Sequence, residues 1–255
     1  MTNSSFSVSA SSASSASPSS SQHTGRPPAE AQQQPRVLVV TAVEAEQAAV
    51  QRGLQAGGRS ADRFDVLAGG VGPASAAAST AFALAAAEAE SRPYGLVLSA
   101  GIAGGFSGQA PPGSLVVASS AIAADLGAES AEGFLSVDEL GFGSAQIAAA
   151  EPWSSRLAEA LRQASLPVVV GPVLTASTVT GTAEKAEQWS RRHPGAAAEA
   201  MEGFGAATAA KLRGVPFVEL RAISNAVGPR DRASWKIKEA LAALEQASAL
   251  FEEVF

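Results

Sequence analysis

Hydrophobic and polar positions change their pattern at Arg36. Before it Ser, Ala, Gln and Pro follow one another without an apolar period, and after it Val37-Leu38-Val39-Val40 is a continuous, mostly β-branched run of the kind buried on both faces of a sheet. Thr41-Ala42-Val43-Glu44-Ala45-Glu46 then leads into a helix. A second short strand, Phe64–Ala68, ends in Gly69-Gly70-Val71-Gly72, and Pro73 suits the first turn of an Ala-rich helix over 74–90. Leu96-Val97-Leu98 runs into another glycine-rich strand end, Ser99-Ala100-Gly101-Ile102-Ala103-Gly104-Gly105. The pattern further predicts strands over 114–124, 168–174 and 215–223, and helices over 152–164, 183–193, 201–213 and 233–255.

Strands alternating with helices across 36–255 without a linker predict one α/β domain, a three-layer α-β-α sandwich around a central mixed, largely parallel, twisted sheet. Ligands of such sheets bind outside the carboxyl ends of the strands. That rule nominates 41–46, 69–72, 99–105, 175–181 and 224–228. Residues 1–35 carry no acidic side chain before Glu30 and too few apolar ones to offset the entropy of ordering, so a disordered N-terminal extension is expected there. That stretch has one arginine, Arg26, no amphipathic pattern and no apolar core of a secretory signal.

Composition narrows the function classes. With 46% hydrophobic residues in 255 the chain can bury a sizeable core, while only 5% aromatics favour helices packed closely on a sheet. A net charge of −6 without a Lys/Arg run gives no footprint for nucleic acid or an anionic membrane. No apolar stretch reaches the roughly 20 residues of a membrane span, so a cytoplasmic protein is expected. Cysteine is absent and the two histidines are His23 and His193, which leaves carboxylates and amides as the chemistry available and no metal or cofactor to expect.

Several motifs have a bland reading beside a functional one. Gly70-x-Gly72 before a helix has the form of a dinucleotide turn, but the next strand ends in Ser99 and Ala100 rather than an acidic ribose ligand, so a packing turn or another ligand is favoured over NAD. No G-x-S-x-G elbow occurs, which sets a serine hydrolase aside. Glu44 and Glu46 suit a helix N-terminus for dipole reasons alone. Met201-Glu202 suits a core residue and a cap, and Asn225 a turn.

The joint order of these segments resembles the purine nucleoside phosphorylase and nucleosidase superfamily over 36–255. The resemblance places that family's catalytic glutamate on Glu46. It also places its ribose-binding Glu-Met-Glu on Ala200-Met201-Glu202, with Met201 beneath the sugar, Glu202 on the hydroxyls and Ala200 departing from the first glutamate. Arg221-Ala222-Ile223-Ser224-Asn225 is similar to the family's Arg-Ala-Ile-Ser-Asp, with Asn225 replacing the aspartate that works on adenine. An amide donates to O6 and accepts from N7–H, whereas a carboxylate would repel O6, so Asn225 implies a 6-oxopurine. The stretches 175–181, 201–205 and 221–235 resemble the branch that cleaves futalosine, which removes hypoxanthine from a nucleoside with an aromatic acid on its 5′ side in menaquinone biosynthesis. This implies backbone near Val179 and Thr180 facing the base, with Val43, Gly101, Ile102 and Phe204 completing the substrate-binding set. Arg230, Arg232 and Lys236 beside Trp235 are candidates for the carboxylate, against a solvated helix start as the plain alternative.

Phosphorylases of the superfamily hold a dianion with an arginine and a hydroxyl around the glycine-rich strand end. Here 99–103 has no arginine, and Ile102 stands where the hydroxyl is expected, so water is the expected acceptor. The implied roles are Glu46 as base for water, Glu202 on the ribose hydroxyls and Asn225 on the departing base. Family members are commonly dimers or larger, so the resemblance implies a homo-oligomer acting on a small-molecule nucleoside. An adenine-specific nucleosidase of the same fold, a non-catalytic nucleoside-binding relative and a nicotinamide oxidoreductase are the alternatives.

Overall fold

The computed structural model of the chain describes residues 34–58 and 63–255. The extension expected over 1–35 lies, save for Gln34 and Pro35, outside the described residues. Gln34–Phe255 forms one compact unit.

The fold begins with β1 (Val37–Thr41), whose five residues are all buried. Their alternation feeds two cores. Val37 and Val39 pack with Ala49, Val50, Leu244 and Phe251 on one face, while Leu38 and Val40 pack with Leu84, Ala206 and Ala210 on the other. Each of the Val, Leu and Phe side chains contributes about 1.5–3 kcal/mol by leaving water. The first face is covered by α1 (Glu44–Ala56), α3 (Trp153–Gln163) and α6 (Ile237–Ser248), the second by α2 (Pro73–Ala89) and α5 (Gly203–Leu212). Helices on both faces of a central sheet are the expected layers.

β1 pairs in parallel with β2 (Phe64–Ala68) and with β3 (Leu96–Gly105). β3 pairs in parallel with β10 (Phe217–Ala226), and β4 (Leu115–Ala123) with β8 (Val168–Thr175). The sheet is mixed because β10 meets β4, and β3 meets β9 (Ala198–Ala200), antiparallel. Since β8 also pairs with β9, the strands β3, β10, β4, β8 and β9 close on themselves, and β1 and β2 extend the sheet from β3. This closure brings strand ends that are distant in sequence around one hollow.

The structure differs from the pattern-based elements in several places. β3 continues as strand through its glycines to Gly105. Residues 198–200 are a strand, so the helix expected from Met201 starts at Gly203; three residues are too few for periodicity to register. The hairpin of β5 (Gly127–Ser130) and β6 (Gly133–Ser136) and the short β7 (Gln146–Ala148) lack a fully buried residue and hence a hydrophobic signature. The last helix is divided into a 3-10 turn (Arg232–Ser234), α6, and α7 (Phe251–Val254). There the chain turns so that the tilted rings of Phe251 and Phe255 meet at 5.7 Å and Phe255 meets Trp153 at 6.1 Å.

Candidate active site

All five segments nominated by the strand-end rule reach one cavity of about 250 Å³. Ala42, Val43 and Glu46 come from the end of β1, Val71 from the glycine turn, and Ile102 to Gly104 from β3. Val179 and Thr180 follow β8, and Ser224, Asn225 and Val227 end β10. Glu199 to Glu202 and Trp235 close the wall.

Glu46 lies in the first turn of α1 and is 4% exposed, whereas Glu44 is exposed. Its Oε2 accepts from the backbone N–H groups of Ala42 at 2.9 Å and Val43 at 3.3 Å, which caps the helix start. Its Oε1 accepts from Ile102 N–H on β3 at 2.8 Å. The dipole reading and the functional one thus meet in one residue: the helix start supplies two donors, and the third, from another strand, holds the carboxylate at the cavity wall. Gly101 makes room for this. A Cβ there would stand 2.7 Å from Glu46 Oε1 and 2.8 Å from Arg221 Nη1.

Glu202, between β9 and α5, is 6% exposed. Its Oε1 accepts from Gly72 N–H at 3.2 Å, which gives the glycine turn its task; Gly72 adopts φ +91° to present that donor. Its Oε2 accepts from Arg221 Nη1 at 3.3 Å and from Met201 N–H at 3.3 Å. Arg221 is buried in β10 and also donates Nε–H to Glu219 at 2.9 Å and Nη2–H to Ser99 Oγ at 2.9 Å. Burial works against its charge, but Glu219, Glu202 and Glu46 outweigh that and hold its proton more firmly than usual. Burial likewise pushes the Glu219 carboxyl up, against the pull of Arg221. An arginine therefore does stand beside the glycine-rich strand end, although none occurs within 99–103. Glu219, Glu202 and Ser99 already engage its three nitrogens, and Glu46 takes the Ile102 amide, so neither group is open to a phosphate dianion. Glu219, Arg221 and Ser99 received no role from the sequence. Their signal was Glu219 and Arg221 at i and i+2 inside an apolar strand, opposite charges on one buried face.

Asn225 is aimed by a bulge. β10 runs in register with β3 up to Ile223 opposite Ala103, then shifts so that Asn225 faces Gly104, with Ser224 the extra residue. Asn225 Oδ1 accepts from Ser224 Oγ at 2.7 Å, and Nδ2 donates to the Ala226 carbonyl at 2.9 Å. A carbonyl only accepts, which fixes the amide's orientation and leaves its second N–H for a ligand in the cavity.

Val179 and Thr180 both line the cavity, with the polar groups of Thr180 partly engaged. Its N–H and its hydroxyl both donate to Glu199, and its Oγ1 accepts from Trp189 Nε1 at 2.9 Å. Its carbonyl and the backbone of the half-exposed Val179 remain for a base. Burial pushes the Glu199 carboxyl up, against those two Thr180 donors. Val43, Ile102 and Met201 line the cavity as expected, but Gly101 and Phe204 do not. Gly101 lies behind Glu46, and Phe204 packs toward the Leu38 core, its N–H donating to Thr175 Oγ1 at 2.9 Å. The Arg230 and Arg232 guanidinium carbons lie 5.8 and 5.9 Å from the Trp235 ring centre.

Residues 60–255 match the model of the phosphorylase superfamily. A futalosine hydrolase of Streptomyces coelicolor is 56% identical over 222 residues, 83% of this chain and 92% of that one. One from Acidothermus cellulolyticus is 47% identical over 221 residues, covering 83% and 88%. Among solved structures, a 5′-methylthioadenosine/S-adenosylhomocysteine nucleosidase from Neisseria meningitidis in complex with methylthio-immucillin-A superposes with a TM-score of 0.69 at 19% identity, over 85% of this chain and 98% of that one. The native futalosine hydrolase of Helicobacter pylori gives 0.68 at 19% identity, over 86% and 95%. These structures share the fold; the family is carried by the sequence matches, and the chain belongs to the phosphorylase superfamily, in the family of the futalosine hydrolases.

Proposed function

We propose that the chain is a nucleosidase that hydrolyses the N-glycosidic bond of futalosine, a 6-oxopurine nucleoside, releasing hypoxanthine and dehypoxanthine futalosine in menaquinone biosynthesis. The observation that carries this is the convergence of Glu46, Glu202 and Asn225 on one cavity, in a chain 56% identical to a futalosine hydrolase. Glu46 accepts a proton from the water that attacks C1′. Glu202, fixed by Gly72 and Arg221, holds the ribose hydroxyls as positive charge develops on the sugar. Met201 packs beneath the sugar. The free N–H of Asn225 donates to the base as the C1′–N9 electron pair leaves with it, and the base takes up a proton from solvent to leave as neutral hypoxanthine. Water is the acceptor because Arg221 and the Ile102 amide are already engaged.

The assay is hypoxanthine release from futalosine with and without inorganic phosphate. Equal rates and free dehypoxanthine futalosine are expected; a phosphate requirement with a sugar phosphate as product overturns hydrolysis. Faster release of adenine from methylthioadenosine would make it an adenine nucleosidase, and saturable binding without base release would make it a binding protein. Among the described residues no helix is long and apolar enough to cross a membrane. The reading includes a cytoplasmic homo-oligomer, a dimer or larger. Val43 and Val71, 42% and 53% exposed at the cavity, suit cover by a second copy. Light scattering after gel filtration tests this, and the mass of one chain would refute it.

A further inference from the structure

Glu199 is 6% exposed and lines the cavity, yet takes no part in the steps above. In the sheet it stands directly opposite Gly104 in the antiparallel pair of β3 and β9. Directly opposed residues send their side chains to the same face, with Cβ positions about 4.5–5.5 Å apart. Asn225 Nδ2 lies 3.3 Å from where a Cβ on Gly104 would be. The Glu199 carboxylate and the Asn225 amide therefore flank the bare Gly104 on one face of the sheet, and both reach the cavity.

The surroundings of Glu199 fix its hydrogen-bonding sense. Trp189 Nε1–H can only donate, so it uses Thr180 Oγ1 as acceptor and turns the hydroxyl proton toward Glu199 Oε2. Thr180 N–H, also donor only, takes Oε1 at 2.8 Å. Both oxygens are held as acceptors, and each retains a lone pair. A 6-oxopurine carries a hydrogen on N1 beside its O6 acceptor; a 6-aminopurine carries a lone pair on N1 beside its amino donors. Asn225 keeps one Nδ2–H for the cavity, which suits O6. At N1 a carboxylate suits only the 6-oxopurine.

We propose that Glu199 is a specificity-determining residue of the base subsite, accepting the N1–H of a 6-oxopurine and rejecting the N1 lone pair of a 6-aminopurine. It rests on the reading of the cavity as a nucleoside site, and deepens it by assigning the 6-oxo preference to a pair, Asn225 and Glu199, instead of to Asn225 alone. Glu199→Gln makes the side chain ambivalent, since an amide accepts from N1–H or donates to N1.

The test is binding of free bases by calorimetry, which stays readable whether or not the protein cleaves futalosine. The wild type is expected to bind hypoxanthine at least about tenfold more tightly than adenine or 1-methylhypoxanthine, which lacks N1–H. In Glu199→Gln the hypoxanthine-to-adenine ratio should fall about tenfold or more, through weaker hypoxanthine and stronger adenine binding. Thr180→Val, which removes one support of Glu199 but not its charge, should weaken all bases alike. Equal wild-type binding of hypoxanthine and 1-methylhypoxanthine overturns the proposal without any variant. An unchanged ratio in Glu199→Gln, including a uniform loss across bases, also overturns it and leaves Glu199 as a support for the Thr180 segment.

Discussion

Glu46 carries two tasks that local sequence cannot separate, since an acidic residue in a first helical turn is explained by the donors of that turn alone. What separates them is Ile102 N–H, which arrives from a strand 56 residues away and holds Oε1 at the cavity. Glu46→Gln removes the base and sets an NH2 group against one of these N–H donors. We expect kcat to fall ~10²–10⁴-fold with KM changed by only a few-fold, measured as hypoxanthine release at saturating futalosine. Near-wild-type turnover would strip Glu46 of its role. Asn225 was legible as a departure from the family's aspartate, but the direction of its amide was not. That direction comes from the Ala226 carbonyl and the Ser224 hydroxyl, which only the bulge brings together. Asn225→Asp would place a carboxylate oxygen against that carbonyl and lose the donor to the base. A drop of at least about tenfold in kcat/KM on 6-oxopurine nucleosides is expected, and an unchanged value would exclude Asn225 from base recognition.

At the scale of elements, the sequence showed where strands end but not which ends adjoin. The hydrophobic runs of β1, β4, β8 and β10 were plain, and the strand-end rule named the cavity segments correctly. β9 stayed hidden because three residues have no period, and with it the placement of Glu199 and the true start of α5 at Gly203. The buried Arg221 network was also illegible as a function, because only Glu219 neighbours Arg221 in sequence, while Glu202, Ser99 and Glu46 come from separate stretches. β3 and β10 run side by side through this network, and Gly101 is the point where β3 leaves room for it. Gly101→Ala adds one methyl group against Glu46 Oε1 and Arg221 Nη1, both too firmly held to move freely. We expect a destabilisation of about 1–3 kcal/mol in urea titration and, in the protein that folds, a loss of roughly 10²-fold in kcat. Unaltered kinetics would mean that the alignment of Glu46 and Arg221 is not critical.

For the molecule as a whole, acid stability depends on buried groups of opposite tendency. Burial raises the carboxyls of Glu199 and Glu219, so between the ordinary carboxyl pKa and their folded values the native state binds more protons than the unfolded one, and stability falls as pH rises through that window. His193 acts in the other sense. It ends α4 (Ala183–Arg192), its Nε2 is buried without a hydrogen-bond partner among the described residues, and burial, aided by the neighbouring Arg192 charge, holds its pKa below the ordinary 6.5. Asp138 and Glu139, which line the same hollow, are exposed and do not counter this. Between its folded pKa and 6.5 the unfolded chain binds the extra proton, so the stability His193 contributes is complete above that range and is lost as pH falls through it. The other histidine, His23, lies outside the described residues. His193→Gln removes the titration without breaking a bond to Nε2. Urea unfolding of wild type and variant from pH 8 to pH 5 should give a stability difference that shifts in the variant's favour as the pH drops below about 6.5. A difference independent of pH would show that His193 takes up its proton equally well in the folded and unfolded chain.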